Sequence, residues 1–232
     1  MHNSKLVRIS LPKFLQLLRY ILDAQPLKIS EYFELYNAIV LRLAKRSTKP
    51  VIRSYYSSRA RLVRALDGSI FFLRPKTPDI NIVTAERYEL SNWFKPLAKG
   101  VVVDVGAYIG FYTVRACKSA DLVIAVEPLP HNFAALKMNV ELNCRNYENV
   151  ELVNKAIGAS KTRLPIYIPV EYHLYDYSAA SLKQRVEKCL KYMVDVEPLD
   201  DILHELGVDR VDLLKVDIEG YVQEALPGMI NT

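Results

Sequence analysis

Two acids in this chain sit where a carboxylate could do chemistry. Asp104 lies in "VVVDVGAYIGFYT" (101–113), at the end of an apolar run and just ahead of Gly106 and Gly110. Glu127 closes the next apolar run in "VIAVEP" (123–128), 17 residues after Gly110. An acid followed by a glycine turn and the start of a helix is the layout of a nucleotide site at a strand tip. The dinucleotide form of that turn is G-x-G-x-x-G. Here the string is D-x-G-x-x-x-G, with Ala107 and Tyr108 where a second glycine would let a pyrophosphate approach. The charge points the same way. Two unit charges about 5 Å apart interact by roughly 3 kcal/mol at an effective dielectric near 20, so Asp104 would repel a pyrophosphate and favour a cation by a similar amount. S-adenosylmethionine (SAM) carries an ammonium and a sulfonium and no phosphate, and fits such a loop better than NAD does. Glu127 suits the two ribose hydroxyls of either cofactor and does not choose between them. Taken singly, the glycines read as a plain strand-to-helix turn, and Glu127 as a surface acid or a cap before Pro128. The ordered set of strand, acid, glycine turn, helix, strand and acid weighs against that reading. On this view replacing Glu127 by Ala should weaken cofactor binding greatly and leave the fold intact.

The elements that must hold these residues alternate. Val101–Val105, Leu122–Glu127, Val150–Ala156 and Val211–Asp217 are apolar runs of strand length, with shorter ones at Leu164–Ile168 and Tyr192–Val196. Helical patterns fall at Phe111–Lys118, at Pro130–Asn143 with Phe133, Leu136 and Val140 on one side, at Leu199–Leu206, and from Val222 onward. Near-continuous apolar strands alternating with helices predict an α/β fold, with a doubly wound, mostly parallel sheet covered on both faces.

The N-terminal part differs. Residues 1–66 hold 13 Lys+Arg against 3 Asp+Glu, and the remainder 18 against 23. Apolar residues at helical spacing over Leu11–Leu22, then a Ser30 cap and Phe33, Tyr36, Val40 and Leu43, predict a basic helical extension over 1–50 ahead of the main domain, 51–232. Its charge reads first as a solvated surface, with nucleic acid, acidic lipid or an acidic patch on another subunit as the alternative partners. Arg61–Leu66 and Ser69–Leu73 flank "DG" (67–68), the signature of a hairpin turn with positive φ at both central residues, and Thr84–Phe94 reads as a helix. The cysteines, Cys117, Cys144 and Cys189, are odd in number and widely spaced, which reads as buried thiols in a reducing compartment, with no metal site. No apolar run reaches the roughly 18–20 residues of a membrane span, and no cleavable leader follows Lys5 and Arg8. The expected location is cytoplasmic.

With these residues in view, the chain resembles the FkbM family of SAM-dependent methyltransferases over roughly residues 84–228. The resemblance rests on "VVVDVGAYIGFYT", "AVEPLPHNFAALKMNVELN" (125–143), "NVELVNKAIG" (149–158), "VEPLDDIL" (196–203) and "VDLLKVDIEGYVQEALPGM" (211–229). It implies a class I methyltransferase fold. It implies that Asp104, Gly106, Ala107, Tyr108 and Gly110 line the methionine end of SAM, that Glu127 with Pro128 holds the ribose, and that Asn154 and Ala156 lie by the adenine. Asp217 and Glu219 would then face the methyl group or the acceptor. The resemblance also implies a hydroxyl acceptor on a sugar, a glycan or a small metabolite. Class I sheets usually continue beyond the "KVDIEG" strand, so the fold is expected to lack the C-terminal strands, with the bare edge covered by another element such as the 61–73 hairpin, or by a second chain, or left as in a shortened relative.

Methyl transfer is an in-line displacement that needs a positioned nucleophile and exclusion of water. For a hydroxyl acceptor a base helps. Asp217 is the first candidate, with a purely ligand-orienting role as its equal rival. Glu219 follows, and reads also as a helix-start contact. His173, in "EYHLYDY", reads as a surface histidine or a base, and the nearby Tyr172, Tyr175 and Tyr177 as stacking platforms or packing. A nucleic-acid base methyltransferase would often carry two adjacent prolines after an Asn or Asp, and none occur here. No tyrosine has a lysine four residues on, as a short-chain dehydrogenase would need. A catalytically incomplete SAM-binding scaffold is the remaining alternative.

Overall fold

The computed structural model describes residues 25–26, 60–65, 67–75, 77, 79, 100–144, 148–171 and 174–232. The chain divides into two compact units, Met1–Glu86 and Arg87–Thr232. The helices expected over 11–22, 30–43 and 84–94, the boundary at residue 50, and Tyr172 and His173 lie outside the described residues.

In the first unit, strands β1 (Gln25–Pro26), β2 (Arg61–Arg64) and β3 (Ile70–Leu73) pair antiparallel in that order. Val63, Phe71 and Leu73 are buried. The β2–β3 turn differs from the expected one. Gly68 takes φ 82°, but Asp67 does not adopt a positive φ. The Asp67 carboxylate instead accepts from the Ser69 amide and hydroxyl at 3.0 and 2.8 Å. That side-chain turn leaves only the glycine needing the left-handed region.

The second unit is built on a parallel sheet. Its strands are β4 (Val101–Val105), β5 (Leu122–Val126), β6 (Val150–Val153) and β11 (Leu213–Val216), in the order β11-β4-β5-β6. The order reverses between β4 and its two neighbours, so the tip of β4 lies at a switch point. Val102, Val103, Val105, Val123, Ile124 and Val126 are at most 1% exposed, as expected of strands covered on both faces. One face is packed by helices α3 (Leu199–Glu205) and α4 (Val222–Ala225): Val103, Val105, Ile124 and Val126 share a cluster with Leu199, Ile202, Leu203, Ala225 and Met229. On the other face α1 (Phe111–Ala116) packs on β4 and β5, and α2 (Pro130–Asn143) packs on α1. The buried stripe of α2 is Asn132, Ala135, Leu136, Asn139 and Val140, at helical spacing. Phe133, expected on that stripe, is only partly buried, and two asparagines take core positions.

A second sheet, not anticipated as separate, combines β7 (Ala156–Ile157), β8 (Thr162–Glu171), β9 (Leu174–Tyr175) and β10 (Cys189–Glu197) in the order β7-β10-β8-β9. The run expected as one strand, 150–156, breaks at Asn154–Lys155, and its last part changes sheets. β8 and β10 form a long antiparallel pair from Thr162↔Val196 to Pro169↔Cys189.

The cysteine reading is corrected. Cys117 and Cys144 form a disulfide, with Cα atoms 5.9 Å apart, and only Cys189 is free. Each is the residue that caps the C-terminal end of its helix, α1 or α2. Adjacent packing of the two helices joins cysteines that are 27 residues apart in sequence.

Candidate functional site

The glycine turn after β4 is defined by three left-handed residues, Gly106 (φ 80°), Tyr108 (φ 55°) and Gly110 (φ 84°). Gly106 is required by contact as well as by conformation. A Cβ there would lie 2.1 Å from the Asp217 carbonyl oxygen, so the turn passes directly against the end of β11. The Gly106 and Ala107 amides donate to the Val126 carbonyl at 2.9 and 3.0 Å, tying the turn to β5. Asn139 on α2 donates to the Ile109 carbonyl at 2.7 Å and fixes the far end.

Asp104 lies beneath this turn, fully buried, and does not line the cleft above it. The parallel register sets Lys215 of β11 directly beside it. The Lys215 ammonium, 8% exposed, donates to Asp104 Oδ1 at 2.8 Å and approaches the Gly106 carbonyl at 3.4 Å. Thr113 on α1 donates to Asp104 Oδ2 at 2.7 Å. Burial, aided by the Asp104 charge, pushes the neighbouring Tyr112 phenol up to about 12. The acid read as a free counter-charge for a cationic ligand is thus half of a buried ion pair, and Lys215 is a site residue that sequence reasoning missed.

Glu127 shares the turn with Asp104 but, unlike it, faces the cleft, and it is 5% exposed. Its Oε2 accepts from the Tyr108 amide at 3.0 Å, and its Oε1 from the Leu129 amide and Asn132 Nδ2, both at 3.0 Å. One carboxylate therefore holds the left-handed Tyr108 and the entry to α2 together. Asn154 sits behind this point and donates to the Glu127 and Pro128 carbonyls at 2.8 and 3.1 Å.

The cleft has a cavity volume of about 60 Å³. Gly106, Tyr108, Glu127 and Pro128 line it, with Lys155, Ala156, Ile157 and Ile166. Tyr177, Ser178, Ala180–Leu182, Asp217–Glu219 and Tyr221 line it as well. Asp176 holds the 177–179 turn by accepting from the Ser178 hydroxyl and from the amides of Ser178 and Ala179. Outside the cleft, Arg185 donates to the Glu219 carboxylate and to its carbonyl, the latter at 3.1 Å, around a Glu219 with φ 45°. Lys155 is held from behind by Glu197. Burial pushes the Glu197 carboxyl up, but Lys155 and Lys161 hold it below its ordinary value. Burial, then the Glu224 charge, raises the Tyr221 phenol.

Of the residues singled out from the sequence, Gly106, Tyr108, Glu127, Pro128, Ala156, Asp217 and Glu219 meet around this one cleft. Asp104, Ala107, Gly110 and Asn154 support it without lining it. Asp217 is exposed and not buried. Tyr177, read from the sequence as a stacking platform or packing, also lines the cleft, whereas Asn132, Lys155, Ser178 and residues 180–182 were not foreseen. Among the latter, only Asn132, in the first turn of the helix that follows the acid, carried a signal that could have flagged it.

Residues 104–232, more than half of the chain, match the family described as the Methyltransferase FkbM domain. Methyltransferase 1 of Beauveria bassiana (strain ARSEF 2860) is 29% identical over 145 residues, covering 55% of this chain and 57% of its own length. Methyltransferase sdnD of Sordaria araneosa is 28% identical over 156 residues, covering 55% of this chain and 60% of its own. The chain thus spans well under two thirds of these relatives. A crystal structure of an FkbM methyltransferase from Methylobacillus flagellatus KT aligns with 94% of this chain and 44% of its own, at 16% identity and a TM-score of 0.41. With an acid-tipped parallel sheet, a glycine turn and a single cleft gathering the motif residues, the chain belongs to the FkbM methyltransferase domain family.

Proposed function

We propose that the cleft binds SAM and that the protein transfers its methyl group to a hydroxyl of a sugar, a glycan or a similar small metabolite. The observation that carries the cofactor reading is the web on Glu127. A carboxylate at the tip of β5 is wired to the glycine turn at Tyr108 and faces a cleft that also holds Asp217. Three acids line the cleft, Glu127, Asp217 and Glu219, and with no phosphate-binding glycine cradle they suit a cationic nucleoside. Apolar Ile157 and Ile166 suit a flat base.

Glu127 and the turn would hold the nucleoside. Glu127 already accepts from the Tyr108 and Leu129 amides and from Asn132 Nδ2, so it would meet the ribose with its carboxylate fixed in place. Bound SAM supplies an electrophilic methyl on a sulfonium. Asp217, which lines the cleft, is the residue to orient the acceptor hydroxyl or to take its proton, and Glu219, which also lines it, is held by Arg185. Tyr221, its phenol pushed up, acts as a neutral donor and not as a base.

Among the described residues no helix is long and apolar enough to cross a membrane. The Cys117–Cys144 disulfide supports maturation where thiols oxidise, in place of the cytoplasm expected from the cysteine count.

Calorimetric titration with SAM, S-adenosylhomocysteine and NAD tests the cofactor reading. The expected result is saturable binding of both sulfur ligands and none of NAD. Binding of NAD with neither sulfur ligand overturns it.

A further inference from the structure

The buried pair beneath the glycine turn has a consequence for ligand charge that neither member has alone. Asp104 is 0% exposed and Lys215 8%, and their contact is 2.8 Å. The pair joins adjacent strands at the level where both end, and the same ammonium approaches the carbonyl of Gly106, the first residue of the turn. No cleft-lining atom is contributed by Asp104, so its charge could reach a ligand only through the turn. With Lys215 beside it, the two opposite charges cancel at that range.

We propose that Lys215 is the positioning residue that sets the charge of the cofactor cleft. It neutralises Asp104 under the glycine turn, so that preference for a cationic over a neutral ligand is left to the charged groups that do line the cleft: the carboxylates of Glu127, Asp217 and Glu219, the last held by Arg185, and Lys155, held by Glu197. The proposal rests on the SAM reading given above. It assigns to Lys215 a role that its partial burial and lysine character would not reveal without the register of β11 on β4.

SAM and S-adenosylhomocysteine differ by the sulfonium charge and its methyl, so the ratio of their affinities reads the charge of the site. A merely structural role for Lys215 would weaken both ligands alike and leave the ratio unmoved. Over the span of a cleft, roughly 10 Å, a unit charge at an effective dielectric near 20 changes an affinity by roughly tenfold. In K215M the Asp104 charge is no longer cancelled, and the ratio should move about tenfold toward SAM. In D104N the Lys215 charge is left instead, and the ratio should move about tenfold toward S-adenosylhomocysteine. In D104N/K215M both charges are gone, and the ratio should return to within about twofold of the wild type.

The experiment is calorimetric titration of all four proteins with both ligands at pH 8, with circular dichroism to show that each is folded. If K215M does not fold, the comparison of D104N with the double variant decides the matter. Parallel losses for both ligands, with the ratio constant across the folded variants, overturn the proposal and leave the cofactor reading standing. A wild-type protein that binds neither ligand overturns both.

Discussion

Replacing Glu127 tests the central physical claim about this site: that one carboxylate holds the turn, the start of α2 and the cleft lining in register. The sequence alone predicts that Glu127→Ala spares the fold. The structure predicts otherwise, because three donors lose their acceptor at once: the Tyr108 amide, the Leu129 amide and Asn132 Nδ2. A hydrogen bond to a charged group contributes roughly 1.5–3 kcal/mol. Water entering from the cleft can re-satisfy part of the loss, so the low end applies, and three bonds give about 4–5 kcal/mol. That is a large part of the roughly 5–15 kcal/mol available to a domain. Glu127→Gln is graded differently. Its remaining oxygen can keep Leu129 and Asn132, but its amide meets the Tyr108 N–H donor to donor, so about 1–2 kcal/mol should be lost. Urea denaturation followed by circular dichroism gives both values from the midpoint at constant slope. Hydrogen exchange should show the Gly106–Gly110 amides opening most in the Ala variant. An Ala variant within about 0.5 kcal/mol of wild type, with those amides unchanged, would refute the reasoning.

Three further outcomes follow from single contacts. Gly106→Ala sets a Cβ against the Asp217 backbone oxygen in a left-handed residue; neither strand end can give, so a loss of roughly 3 kcal/mol or more and no measurable SAM binding are expected in a melt and a titration. C117S/C144S removes a cross-link spanning 27 residues, for which loop closure gives about 3.5 kcal/mol at most, and intact-protein alkylation without reductant should label one cysteine in the wild type and none at positions 117 and 144. Glu197 is held below its ordinary value by Lys155 and Lys161. Its contribution is therefore present above the ordinary carboxylate value of 4.5 and is lost as pH falls below it, so Glu197→Gln should flatten the acid limb of the stability curve, with its deficit against wild type largest and constant at neutral pH and shrinking as pH falls below 4.5.

The parallel sheet was readable because its signal is local and strong. Val101–Val105 and Leu122–Val126 are continuous apolar runs, and an acid-glycine string of fixed spacing follows the first. The antiparallel sheet was not, because β8 and β10 carry weak alternation: Arg163, Lys191 and Asp195 face solvent beside half-exposed Leu190 and Tyr192, and pairing across 160–197 is a non-local choice. The disulfide escaped for the same reason, since its spacing of 27 means nothing until α1 and α2 pack. The Asp67–Gly68 turn failed on a subtler point. The hairpin signature assumes a backbone solution, whereas Asp67 takes a side-chain one with Ser69. The candidate site was legible as a list of residues, but not as a division of labour between those that line the cleft and those that prop it.

That division of labour changes where the selectivity of this cleft resides. An acid one residue ahead of a strand end is conspicuous in a sequence, and counting it as a ligand charge is natural. Strand register decides the question. In a parallel sheet, side chains at matched positions of neighbouring strands lie on the same face, so whatever β11 places opposite Asp104 determines whether that carboxylate acts outward or is spent inward. Here β11 places a lysine. Removing one partner of such a buried pair leaves an uncompensated charge, which costs far more than the pair itself contributes. The two residues are therefore constrained together, although 111 positions apart. The same logic moves attention to Glu127, whose oxygens are divided between the backbone of the turn and the cleft, and to Asp217, whose backbone carries the contact that only Gly106 permits. Ligand charge preference and the shape of the turn thus meet in Glu127, whereas Asp217 touches the turn through its backbone and the cleft through its side chain, so Asp217→Asn should change the first property without the second.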